Sequence, residues 1–288
     1  HSLVAVSRLA MRDNSALLAM ISALVLLLLG LKRQNLLCTF FGGAVGGLSF
    51  YVYYPAKITM VLWFMLLASV CLFLRKFDMH ALAKQAAVSM LGFSLVTAPL
   101  VASTIKAPTN DFDYLKLRML FFKEARQEQQ GWLGAPTVAE GIKRNALQGI
   151  TVFNNKVHDN NNIYVNRGHG FVDPLTGVLI WAGLLIVLLK RNKKEEDCLA
   201  VGGFLLIWLA LSLLFTKAPH YNRLLITLPF VAYLVVEAAK SISTLAEKLI
   251  TAARKLQTKN ATKNAAAVGK AAGTLTFVAV IAAVFLWN

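Results

Sequence analysis

Ser15-Ala16-Leu17-Leu18-Ala19-Met20-Ile21-Ser22-Ala23-Leu24-Val25-Leu26-Leu27-Leu28-Leu29-Gly30-Leu31 is apolar from end to end, with two serines as its only polar side chains, and it closes on Lys32-Arg33. At about 1.5 Å per helical residue such a run approaches the ~30 Å hydrocarbon core of a bilayer. Runs of the same kind recur over roughly 36–53, 58–74, 86–104, 174–190, 198–215, 222–239 and 272–287. Backbone polar groups in lipid have to be bonded internally, so each run is expected as a helix. The short alternating strands of a membrane barrel are not seen. The expectation is an all-α, polytopic transmembrane helical bundle of about eight spans.

The composition agrees. Of 288 residues, 57% are hydrophobic and 15% charged, against about 25% charged in soluble domains. Mean hydropathy is +0.58. Cys38, Cys71 and Cys198 all lie in or beside apolar runs. They lack metal-ligand spacing, and no disulfide pattern is evident.

Residues 105–172 are the exception to this apolar series. They separate a first group of four spans, within residues 1–104, from a second group within 173–288. They form the one segment large enough to build an extramembrane layer. Thr137-Val138-Ala139-Glu140 has the form of a helix-capping box just after Pro136. Beyond it Val138, Ile142, Ala146, Ile150 and Phe153 fall about four residues apart. That spacing predicts an amphipathic helix over 137–153 with Val138, Ile142, Ile150 and Phe153 facing inward. Residues 111–129 are also helix-like, with the apolar patch Leu120-Phe121-Phe122, and 154–166 is an Asn-rich irregular loop.

Charge fixes the orientation. One set of short connections carries sixteen Lys and Arg: Lys32, Arg33, Arg75, Lys76, Lys84, Lys190, Arg191, Lys193, Lys194, Lys240, Lys248, Arg254, Lys255, Lys259, Lys263 and Lys270. The opposite set carries five: Arg8, Arg12, Lys57, Lys217 and Arg223. The positive-inside rule makes the first set cytoplasmic and residues 105–172 extracytoplasmic. It also accounts for most of the +16 net charge, so nucleic acid is not the expected partner; the bilayer is. The basic, Ala-rich stretch from Lys240 to Lys270 is expected as a helix on anionic headgroups. The sequon Asn260-Ala261-Thr262 then lies on the cytoplasmic side, where it would not be glycosylated.

No phosphate-binding glycine loop, metalloprotease motif or nucleophile elbow is present. Polar residues gather instead in three turns on the extracytoplasmic side: Ser7-Arg8 with Arg12, Asp13 and Asn14; Tyr51-Val52-Tyr53-Tyr54-Pro55-Ala56-Lys57; and Lys217-Ala218-Pro219-His220-Tyr221-Asn222-Arg223. Cations beside tyrosines at headgroup depth suit a lipid phosphate. The same residues also serve as ordinary interfacial anchors. His220 read alone is a bonded interface histidine, and Asp173 before Pro174 is a helix N-cap.

Arranged in this order, these segments resemble a known family. Arg167-Gly168-His169-Gly170-Phe171-Val172-Asp173-Pro174-Leu175-Thr176-Gly177, then Ala218-Pro219-His220 with Arg223 and Leu228-Pro229, are similar to segments of polyprenyl- or dolichyl-phosphate-sugar-dependent glycosyltransferases of the GT-C fold. The likeness is to the protein-mannosyltransferase-like and aminoarabinose-transferase-like members. Gly46-Gly47-Leu48-Ser49-Phe50-Tyr51-Val52-Tyr53 with Pro55 and Lys57 resembles a third segment, and Ser7-Arg8 with Asn14 a fourth. Lys57 stands where the family has Arg, and Gly168-His169-Gly170 is a loose version of its Pro-Gly turn.

The resemblance implies inverting transfer of a sugar from a polyprenyl-phosphate donor on the extracytoplasmic face of a bacterial inner (plasma) membrane. It implies Lys57, Arg8 and Arg223 as phosphate ligands, with Tyr54 and His220 as hydrogen-bonding partners. The family's catalytic acids lie in its first outer loop, which has no counterpart here. The catalytic carboxylate is therefore expected upstream of His1, in a longer enzyme of which this chain is the later part. No cofactor or metal ligand set is evident; a need for a divalent cation is left open. The alternative is a non-catalytic GT-C-like accessory or structural subunit of a larger membrane complex, with other membrane subunits as partners.

The orientation can be tested in a cysteine-free background. A cysteine replacing Asn161 should react with a membrane-impermeant thiol reagent in intact cells, and one replacing Lys193 should not. The reverse labelling would overturn the assigned sidedness.

Overall fold

The computed structural model describes residues 12–52, 58–74, 78–106, 119–123, 137–154, 171–214 and 224–258. The helices are α1 (Arg12–Arg33), α2 (Leu36–Val52), α3 (Thr59–Ser69, running into a π-helical turn at Val70–Leu74) and α4 (Met79–Lys106). Then come α5 (Val138–Thr151), α6 (Pro174–Leu189), α7 (Glu195–Leu213) and α8 (Leu228–Thr258), the last led in by a 3-10 turn at Leu225–Thr227. No β-strand occurs among the described residues. Seven of the eight expected runs coincide with helices, and 272–287 lies outside the described residues.

Among the described residues four stretches are long and apolar enough to cross a membrane: Ser15–Arg33, Met79–Ser103, Glu195–Leu213 and Leu225–Ala252. The protein is therefore an integral membrane protein whose described residues are helical apart from short turns. Leu36–Tyr51, Thr59–Leu72 and Pro174–Leu189 are shorter apolar helices.

In lipid, apolar burial gives helices little reason to associate, so close packing and interhelical hydrogen bonds have to hold them together. Glycine makes that close approach here. A Cβ on Gly43 of α2 would sit 2.0 Å from the Ser89 carbonyl oxygen of α4, and one on Gly92 of α4 2.2 Å from the Phe40 carbonyl oxygen. The same contact joins α6 to α8, where a Cβ on Gly183 would fall 2.0 Å from the Leu234 carbonyl oxygen. Polar side chains complete the first seam. The buried Thr39 hydroxyl donates to Gln85 Oε1, Gln85 Nε2 donates to the Gly30 carbonyl at 3.4 Å, and Trp63 Nε1 donates to Ser89 Oγ at 2.9 Å.

The helices alternate in direction. Lys32, at the end of α1, pairs with Glu196 at the start of α7. At the opposite end of the bundle lies α5. Its N-cap is Thr137, whose Oγ1 accepts from the Glu140 amide at 3.2 Å. The Glu140 carboxylate meets the Thr137 hydroxyl, at 3.2 Å.

The inward face of α5 differs from the expected one. Ile150 is 53% exposed, and Val138 and Ile142 are half-buried. The buried face is Gly141, Asn145 and Gly149, followed by Val152 and Phe153. Gly149 lies on Ser212 and Trp208 of α7, so small residues take the contact that large ones were expected to make. Of the helix-like stretch 111–129 only 119–123 lie within the described residues, and 119–122 form a turn: the Phe122 amide donates to the Met119 carbonyl at 3.2 Å. Only Leu120 of that patch is fully buried, against Gly141.

Replacing Gly43 or Gly92 by Val should lower stability in detergent by about 2 kcal/mol or more, because the neighbouring backbone has to move away. Leu48→Ala, at a 51% exposed position of the same helix, should change it little. Thermal unfolding of the three variants checks this; equal midpoints would contradict the seam.

Candidate functional site

Arg8, Tyr54, Lys57, His220 and Arg223 all lie outside the described residues. What is described is the framework they join. Arg8 precedes α1, Tyr54 and Lys57 lie between α2 and α3, and His220 and Arg223 precede the Leu225–Thr227 turn. Helix α1 packs on both α3 and that turn. Leu224, Leu225 and Ile226 are buried in the same core as Met20, Leu24, Met60 and Trp63. The Tyr51 hydroxyl, at the end of α2, donates to the Val96 carbonyl at 2.8 Å.

The α5 layer docks at this end. Asn145 Nδ2 donates to the Leu213 carbonyl at 3.1 Å and Trp208 Nε1 to the Gly149 carbonyl at 2.9 Å. The Leu120 amide donates to the Leu214 carbonyl at 2.9 Å. Phe153 and Phe171, on the two flanks of the layer, enter an aromatic cluster with Trp181, Phe204 and Trp208 whose ring centroids lie 5.6–6.4 Å apart. Edge-to-face pairs dominate it, the geometry that ring quadrupoles favour.

Asp173 is the N-cap of α6, as its place before Pro174 predicts. Its carboxylate accepts from the Thr176 amide at 2.9 Å and from the Thr176 hydroxyl. Asn154 Nδ2 donates to the Pro174 carbonyl at 3.1 Å, and Gly177 leaves room for the Asn154 side chain. Asn154 and Asp173, on either side of residues 155–170, are thus both anchored at the top of α6.

A second cluster, absent from the sequence reading, lies at the other end of the bundle. Lys190 Nζ, just past α6, donates to Asp197 Oδ1 at 2.8 Å and to Glu237 Oε2 at 2.6 Å. The Tyr233 hydroxyl and the Lys194 amide also donate to Asp197, each at 2.9 Å. Lys240 donates to Glu237 at 2.9 Å. Asp197 is almost wholly buried, at 1% exposure. With both carboxylates held by cations and Asp197 accepting two further bonds, the cluster fastens three helices together. Partial burial alone would lower the Lys190 ammonium's pKa; the bonds to Asp197 and Glu237 outweigh it and hold the value above the usual lysine range.

The signal was present in the sequence. Glu195-Glu196-Asp197 opens α7, and Tyr233, Glu237 and Lys240 are one helical turn apart on α8. A count of Lys and Arg alone assigned Lys190 to a solvated connection. Among the described residues no group of three or more His, Cys, Asp or Glu is placed to hold a metal ion. The three cysteines are free thiols.

No family model, no curated protein and no solved structure matches this chain.

Lys190→Met should destabilise the bundle by about 1–3 kcal/mol, because Asp197 stays buried with its main cation gone. A lysine whose folded pKa is raised contributes fully below its unfolded value of about 10.4 and loses that contribution as pH rises through the folded value. The difference between wild type and Lys190→Met, measured by thermal unfolding, should therefore stay constant from neutral pH to about 10 and close above it.

Proposed function

We propose that this chain is part of an integral membrane glycosyltransferase. It would move a sugar from a polyprenyl-phosphate donor to an acceptor on the extracytoplasmic face of a bacterial inner membrane. The observation that carries the reading is the packing of α1 against both α3 and the Leu225–Thr227 turn, at the end of the bundle that α5 covers. Arg8, Lys57 and Arg223 adjoin those three elements in sequence. Cations brought to one focus at headgroup depth would offset the loss of hydration that a lipid phosphate suffers there. Interfacial anchors would instead spread around the rim.

In this reading eight spans cross the bilayer, and residues 105–172 cover the site and shape the acceptor groove. In the proposed reaction a carboxylate takes the acceptor's proton. The acceptor oxygen attacks the anomeric carbon, and the bond to the donor phosphate breaks with its electron pair leaving on that phosphate. Lys57, Arg8 and Arg223 stabilise the departing charge, and Tyr54 and His220 hydrogen-bond to it.

Lys57→Gln should weaken binding of a short-chain polyprenyl phosphate by about 1.5–3 kcal/mol, the scale of a charged hydrogen bond. Titration of the reconstituted protein checks this, with Lys193→Gln as a charge-matched control. Equal affinities would remove Lys57 from the site. Loss of binding in none of the Lys57, Arg8 and Arg223 variants would make the accessory-subunit reading the better one.

A further inference from the structure

The expected boundary between the 222–239 span and a surface helix from Lys240 does not interrupt the backbone: α8 is one helix from Leu228 to Thr258. Up to Lys240 it is fastened, by glycine contact to α6 and by Glu237 and Tyr233 to Lys190 and Asp197. Beyond Lys240 its character changes. Ile242, Leu245 and Leu249 are 48%, 58% and 62% exposed. The Thr244 and Thr251 hydroxyls bond back within the helix, to the Lys240 and Glu247 carbonyls at 2.9 and 2.8 Å.

At 3.6 residues per turn, Ala252, Leu245, Leu249, Ile242, Ala246 and Ile250 fill one continuous arc of about 160°. Lys240, Thr244, Glu247, Lys248 and Thr251 fill the other. A seam for a second helix needs only the narrower stripe of alternating three and four spacing; this wide arc is the form of a helix lying in an interface. The charge is one-sided. From Lys240 to Lys270 the sequence has Lys240, Lys248, Arg254, Lys255, Lys259, Lys263 and Lys270, against Glu247 as the one acid. Lysines flanking a seam would face lysines in an antiparallel second copy, whereas they are complementary to an anionic leaflet.

We propose that residues 241–258 form a docking arm for an anionic lipid surface, hinged just past the Lys190–Glu237–Lys240 clasp. The hinge is Ser241-Ile242-Ser243-Thr244. A threonine hydroxyl bonded to the carbonyl four residues back weakens and bends a helix, and Thr244 makes that bond at the clasp's edge. Swinging there brings the exposed apolar face onto acyl chains and Lys248 to the phosphates. The arm would make the protein's behaviour depend on the anionic lipid content of the leaflet at its ion-clasped end.

The test uses the full chain with Cys38, Cys71 and Cys198 replaced by Ala, carrying a spin label at Leu249→Cys or at Thr251→Cys. It is reconstituted in bilayers of phosphatidylcholine with or without phosphatidylglycerol. With phosphatidylglycerol, the label at 249 should become accessible to oxygen and shielded from a water-soluble nickel chelate, while the label at 251 stays accessible to nickel. Replacing Lys248, Arg254 and Lys255 by Gln should lower the docked-to-undocked ratio about fivefold per charge. Nickel access to both labels in anionic bilayers would overturn the proposal. So would equal docking in both lipids, and so would a label at 249 shut off from both reagents, because that face would then be covered by protein.

Discussion

Helices in a bilayer cannot be held together by the apolar burial that folds soluble proteins, because lipid offers the same contacts. The structure meets this constraint with backbone-to-backbone approach. Gly43 and Gly92 bring α2 and α4 so close that each glycine meets a carbonyl of the other helix, and Gly183 does the same between α6 and α8. The Thr39–Gln85 and Trp63–Ser89 hydrogen bonds lie along the first of these seams. With the seams in place, the helix ends fall into fixed neighbourhoods, and the two ends of the bundle acquire different chemistry. One end is clasped by ion pairs through Lys190, Asp197 and Glu237. The other is capped by α5.

The cap obeys the same rule. Gly149 lets α5 sit directly on Ser212 and Trp208, and Asn145 bonds the last turn of α7. Phe153 then meets Trp181 of α6 and Phe204 of α7, and Phe171 packs edge-on against Phe153. The outer segment is therefore joined to the bundle at its core and not merely at its rim. A layer fixed in this way can shape a groove over the helix ends beneath it, which is the role the proposed reaction assigns to it.

Much of this was legible in the sequence. The apolar runs marked seven helices, and Thr137 and Asp173 were recognisable as caps from the residues that follow them. Apolar periodicity failed at Ile150, because it ranks positions by size and oiliness, whereas a helix docked on another helix through its backbone buries its smallest residues. Counting cations failed at Lys190, because the partners that bury Asp197 come from α6 and α8, far apart in the chain. The boundary of α8 failed for a related reason. Ser241 and Lys240 mark a change of environment, and helix propensity carries the backbone straight through it. The proposed phosphate ligands are legible only as a sequence pattern. No family model matches, so their proposed convergence rests on the packing of α1 against α3 and against the turn before α8.

That convergence is what the functional account stands on, and proximity of Lys57 and Arg223 tests it most directly. In a cysteine-free protein reconstituted in lipid, Lys57→Cys and Arg223→Cys would be treated together with a short bifunctional thiol reagent. The account predicts an intramolecular cross-link in high yield, suppressed by a polyprenyl phosphate and absent when Lys57→Cys is paired with Lys193→Cys. Failure of the 57–223 pair to cross-link, with both thiols reactive toward a monofunctional reagent, would contradict a shared site.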